Sequence, residues 1–173
     1  MHLFIATSSL GHTDCERIAR AAMAQPVLAI TSLTFIVFGV VVLWSAIRGR
    51  AVLAGLAGLT SVAVGLGSFA YHGPQPAWAQ AAHDWPIIAL ALVCVAGLAR
   101  SRLVERRRPW AAATGVFALG LITYAAGRSA SPLCRPESLW QYHGAWHVLA
   151  GVAAGLAAWA MISRRPVEAT GRR

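Results

Sequence analysis

Long apolar runs separated by short polar, arginine-bearing stretches dominate the chain. A helix rises 1.5 Å per residue, so about 20 mostly apolar residues cross the roughly 30 Å of bilayer hydrocarbon. Four runs come close to that length: Pro26–Ile47, Ala51–Tyr71, Trp110–Gly127 and His143–Ile162. A fifth, Trp85–Ala99, is shorter but uncharged. It opens with Asp84-Trp85-Pro86, which reads as an acidic N-cap with a proline in the first turn. The pattern predicts an all-α integral membrane protein, a bundle of about five transmembrane helices. Residues 1–25 form an N-terminal segment, 26–162 the bundle and 163–173 a basic tail. Residues 1–25 do not read as a signal peptide, because no basic stretch opens them and Gly11 to Arg20 is polar where an apolar core belongs.

Composition agrees. Of 173 residues, 57% are hydrophobic and only 12% charged, against about 25% charged in an ordinary soluble domain, and the mean hydropathy is +0.58. The net charge of +9 comes from fifteen basic residues, all arginine, against six acidic ones. A soluble chain this basic would suggest a nucleic-acid partner. Here the arginines cluster between apolar runs, as the positive-inside rule distributes them in cytoplasmic loops. Eleven (Arg48, Arg50, Arg100, Arg102, Arg106, Arg107, Arg108, Arg164, Arg165, Arg172 and Arg173) fall on one face of a five-span arrangement, and Arg17, Arg20, Arg128 and Arg135 on the other. That places the N-terminus outside and the C-terminus in the cytoplasm, with the 72–84 and 128–142 loops also outside. The partner is the lipid bilayer, with no nucleic acid. Cys15 and Cys134 share the outer face, where a disulfide and two free thiols are both open readings; Cys94 lies in mid-span.

Ionisable residues near apolar runs carry the chemical information, because burying them is costly. Three places qualify, all on the outer face. The second span ends in Ser68-Phe69-Ala70-Tyr71-His72, the third opens with His83-Asp84, and the last opens with His143-Gly144-Ala145-Trp146-His147. Residues four apart share a helix face, so His143 and His147 point together, as do Ser68 and His72. Two imidazoles one turn apart and a third from a neighbouring helix match the three-histidine set of a catalytic zinc with a fourth position for water. Asp84 is then the candidate general base and acid, and Ser68 the group that hydrogen-bonds the water or a developing oxyanion. Each has a plainer reading: HxxxH as packing, Asp84 as a helix cap, Ser68 as a helix contact. His83 reads as a solvated loop residue, and His2 and His12 are assigned nothing.

Taken together, GLGSFAYHG at 65–73, HDWP at 83–86 and HGAWH at 143–147 resemble the signature of the alkaline ceramidases and the wider CREST superfamily of membrane hydrolases, which includes the adiponectin receptors. Asp14-Cys15-Glu16-Arg17 and the Gln25-Pro26 entry to the first span resemble stretches of bacterial ceramidase-like proteins. The resemblance implies that His72, His143 and His147 bind zinc, that Asp84 handles protons and that Ser68 assists the water in hydrolysing an amide. It implies a membrane hydrolase acting on ceramide or another N-acyl lipid, with the active site towards the non-cytoplasmic face. The arginine-only, alanine-rich composition is that of a high-GC bacterial gene, which suggests an inner or plasma membrane.

The chain departs from the family in two ways. It has five spans where members usually have seven, as if two helices between the third and the last were missing. Gln25 replaces the acidic residue before the first-span proline, and Leu28 and Ser32 replace asparagines. Only Asp14 and Glu16 are left as candidate calcium ligands. A non-catalytic receptor or sensor that keeps the metal site is the alternative reading, and a structural five-helix protein with incidental histidines is a third.

Overall fold

The computed structural model describes residues 10–19, 21–101 and 103–162, with backbone alone for 103–107. The chain forms five helices: α1 (Pro26–Gly49), α2 (Val52–His72), α3 (Ala79–Arg100), α4 (Leu103–Ala126) and α5 (Tyr142–Met161). Each is long and apolar enough to cross a membrane. The expected all-helical bundle of five is therefore present in the described residues. The basic tail 163–173 and Arg102 lie outside them.

Consecutive helices run in alternating directions, so the start of α1, the end of α2, the starts of α3 and α5 and the end of α4 share one end of the bundle. The α1–α2 hairpin is joined by only Arg50 and Ala51, with Arg50 in the left-handed region at φ 50°. Its helices touch backbone to backbone. A Cβ on Gly39 would lie 2.8 Å from the carbonyl oxygen of Gly58, and one on Gly58 would lie 2.8 Å from the amide of Leu43. Small residues permit this approach where lipid supplies no hydrophobic drive between helices.

The third helix begins earlier than its apolar run. Asp84 and Pro86 lie inside α3, which starts at Ala79 after Trp78, so the reading of Asp84 as N-cap is corrected. The preceding Ala79-Gln80-Ala81-Ala82 stretch is made of good helix formers, and it extends the helix outward past the apolar boundary. Pro86 has no N–H to give the carbonyl of Ala82. α2 passes close to that carbonyl, and a Cβ on Gly67 would collide with it. The fourth helix likewise starts before its apolar run, at Leu103, with Pro109 inside it.

α1 packs on α2 and α5, α2 on α3, and α4 on α5, whereas α3 and α4 have little contact with each other. Away from the site they meet through α5, where Trp110 and Ala113 pack on Ala157 and Ala160 with Cys94 and Met161 against them. At the other end of the bundle, Ile87 of α3 and Tyr124 of α4 line one cavity. The segment before α1 closes this end as a strap: Cys15 N–H donates to Gly127, Ser129 N–H to Thr13, and Gln25 N–H to His72, at 2.9, 2.9 and 2.7 Å. A Cys15–Cys134 disulfide fastens it across 119 residues, so of the two open readings the structure takes the bonded one.

Candidate metal centre

His72 comes from the last residue of α2, and His143 and His147 come from the first two turns of α5. All three are buried, at 0%, 6% and 2% exposure. One ring nitrogen of each lies within 4.8 Å of the others. The spacing explains the α5 pair, since i and i+4 stand on one face. Contact between the neighbouring helix ends supplies the third ring.

Each ring is anchored through Nδ1 by a different residue. Nδ1 of His72 lies 2.8 Å from Gln25 Oε1, Nδ1 of His143 2.9 Å from Asp14 Oδ1, and Nδ1 of His147 3.1 Å from Thr31 Oγ1. The partners fix the direction of these bonds. The Gln25 amide nitrogen donates to the carbonyls of Gly11 and Glu16 at 3.1 and 3.0 Å, so its oxygen must face His72. The Thr31 hydroxyl donates into its own helix, to Val27 at 2.8 Å, which leaves its oxygen to accept. Asp14, as a carboxylate, only accepts. All three rings therefore carry the proton on Nδ1 and a lone pair on Nε2. His72 Nε2 is buried without a hydrogen-bond partner. Three buried imidazoles with ring nitrogens this close, one of them an unpartnered buried lone pair, form a donor set that a cation would satisfy. The outer-sphere acceptors on Nδ1 are the pattern of ligating histidines, so the donor set fits zinc.

Asp14 also accepts from Arg128 Nη1 at 3.0 Å, and the same nitrogen donates to the Tyr124 hydroxyl at 3.1 Å. Burial alone would raise the Asp14 carboxyl. The hydrogen bond from His143 and the electrostatic attraction of the His143 and His72 rings and of Arg128 overcome it and hold the group below the usual carboxylate range. Glu16 caps α1 from outside, accepting from the amides of Val27 and Leu28 at 2.8 and 2.9 Å. Burial pushes its carboxyl up against those two hydrogen bonds. Both acids considered as calcium ligands are thus engaged by protein donors.

Beside the histidines lies a cavity of about 380 Å³, walled by His72, His143, Asp14 and Arg128 together with His83 and Ile87 of α3 and Tyr124 of α4. Ser68 is buried one turn before His72 but is not part of that wall. Asp84 is also not part of it: the carboxylate is exposed and accepts from His83 Nδ1 at 2.7 Å. The structure thus gathers the three histidines, places Asp84 at one remove, and puts His83, read from sequence as a solvated loop residue, on the cavity wall. Asp14, Gln25 and Thr31 had no sequence signal as histidine partners. Only Asp14 beside a cysteine and Gln25 before the first span stood out, and both for other reasons. Compared with known proteins, the chain matches no family model, no curated protein and no solved structure.

Proposed function

We propose that the protein is a zinc-dependent intramembrane hydrolase of ceramidase type, which cleaves the amide bond of ceramide or another N-acyl lipid by attack of water. The observation that carries this reading is the set of three buried histidines, each held through Nδ1, with one ring nitrogen of each within 4.8 Å of the others. His72, His143 and His147 hold the metal. Zinc, when bound, lowers the pKa of water towards 7 and polarises a carbonyl. The chain's own residues do the rest. Asp14, Gln25 and Thr31 orient the ligands, Arg128 fixes Asp14, and the cavity admits the substrate.

The sparse contact between α3 and α4 and the apolar faces they leave exposed make a lipid the natural substrate. Exposed apolar residues such as Ile88 of α3 and Ile122 of α4 lie within a turn of Ile87 and Tyr124, which line the cavity. A cavity of 380 Å³ is at the small end of ligand sites, room for an amide and head group. The acyl chains lie against those apolar faces. The disulfide belongs to the same end as the histidines, and disulfides persist in oxidising compartments. This agrees with the arginine distribution in turning the site to the non-cytoplasmic face. Ser68, beneath His72, supports the end of α2 near the metal.

Metal analysis of the purified protein is expected to find about one zinc per chain, and His143→Ala or His147→Ala to abolish it. Lipid profiling of cells with and without the gene identifies the substrate as the N-acyl lipid that accumulates without it. Stoichiometric zinc with no hydrolysis of any N-acyl lipid overturns the enzyme reading in favour of a receptor or sensor. Absence of zinc overturns both.

A further inference from the structure

We propose that His83, held by Asp84, is the proton-transfer residue of this cavity, and that Asp84 is its positioning residue. The inference rests on the hydrolase reading and deepens it. Asp84 does not reach the cavity itself. Its side chain is 52% exposed, whereas that of His83 is 21% exposed and forms part of the wall shared with His72 and His143. Adjacent residues on a helix do not share a face, which sets Asp84 to the outside and His83 to the inside of the same helical turn.

Three contacts hold the His83 ring. Asp84 Oδ1 accepts from Nδ1 at 2.7 Å, which leaves the lone pair on Nε2. One face of the ring stacks on Tyr71 with centroids 4.4 Å apart and planes at 27°. The Tyr71 hydroxyl is fixed in turn by the amide of Gly11 at 3.1 Å. The His72 ring stands nearly perpendicular, with centroids 6.0 Å apart. This is the only cavity histidine whose position leaves it outside the metal cluster. The other ionic groups on the wall, Asp14 and Arg128, are bonded to each other. An imidazole oriented by a carboxylate and facing a reaction cavity is the arrangement that general acid–base catalysis requires.

The step balances without any further reactant. His83 Nε2 takes a proton from the attacking water as its oxygen bonds to the acyl carbon. The same nitrogen returns that proton to the departing nitrogen as the C–N bond breaks, giving a carboxylic acid and an amine.

The test uses the full-length, zinc-loaded protein in detergent micelles with a fluorescent short-chain ceramide and an N-acylethanolamine as probes. His83→Gln is expected to lower hydrolysis on the order of 10²- to 10⁴-fold. Its zinc content and the visible spectrum of its cobalt-substituted form should stay those of the wild type, since the ligands are untouched. Asp84→Asn changes an exposed side chain and leaves the packed interior alone. In ¹⁵N-histidine spectra the wild type should show His83 protonated at Nδ1, Asp84→Asn should release that preference, and Asp84→Glu should restore it along with part of the rate. A His83→Gln protein that hydrolyses either probe at the wild-type rate overturns the assignment and leaves the hydrolase reading standing. A zinc-loaded wild type that cleaves no N-acyl lipid overturns the hydrolase reading, and the role of His83 with it.

Discussion

A buried histidine is informative only when both ring nitrogens are accounted for. At His72, His143 and His147 the Nδ1 atoms end on Gln25, Asp14 and Thr31, so the site depends on residues that touch no metal. Losing such an anchor typically weakens metal binding 10- to 100-fold. Asp14→Asn and Gln25→Leu should each weaken zinc binding by about that factor in a competition titration with a chelating dye. Thr31→Val should do the same at similar volume. Variants that keep wild-type affinity would show that the rings hold their orientation without these bonds. Asp14 is ionised more readily than an ordinary carboxyl, so its grip on His143 is present at neutral pH and is lost as the pH falls through its lowered pKa. The three histidines were legible because i, i+4 spacing and membrane depth are local properties. Their anchors were not, since Asp14 and Gln25 lie 129 and 47 residues from the histidines they hold.

At the level of elements, the length of an apolar run predicted each span, but the run did not mark where the helix stops. α3 begins at Ala79 rather than near Trp85, because backbone hydrogen bonding continues through alanines that need no hydrocarbon around them. This is what moved His83 from a loop to a helix and so onto the cavity wall. The α1–α2 crossing depends on an absence of side chains that glycine content alone could not assign to a contact. At Gly58 an added Cβ meets backbone atoms, which cannot rotate away. Gly58→Ala should therefore destabilise the protein by about 1–3 kcal/mol, the usual cost of overpacking. Thermal unfolding in detergent checks this, with Gly115→Ala as the control, since a Cβ there meets nothing within 4 Å.

At the level of the molecule, four features share one end: the histidines, the strap, the disulfide and the mouth of the cavity. The arginine distribution turns this end outward on the reading given above. A C-terminal alkaline phosphatase fusion should accordingly be inactive and a C-terminal green fluorescent protein fusion bright. The reverse result would place the site in the cytoplasm and remove the oxidising environment that the Cys15–Cys134 bond calls for. α3 leans on α2 and α4 on α5, with little contact between the two.

Read alone, the amino-acid order determined how many helices there are, which residues could ligate a metal, and that these share one end. Each of these follows from apolar run length, helical period and parity along a single chain. Tertiary structure decided which nitrogen of each histidine is available, that His83 rather than Asp84 reaches the cavity, and that Asp14 and Glu16 serve protein donors. Those outcomes depend on hydrogen bonds between distant segments and on where a helix starts. They come into being only when the strap closes over the bundle and burial leaves each polar group to find its partner within the fold.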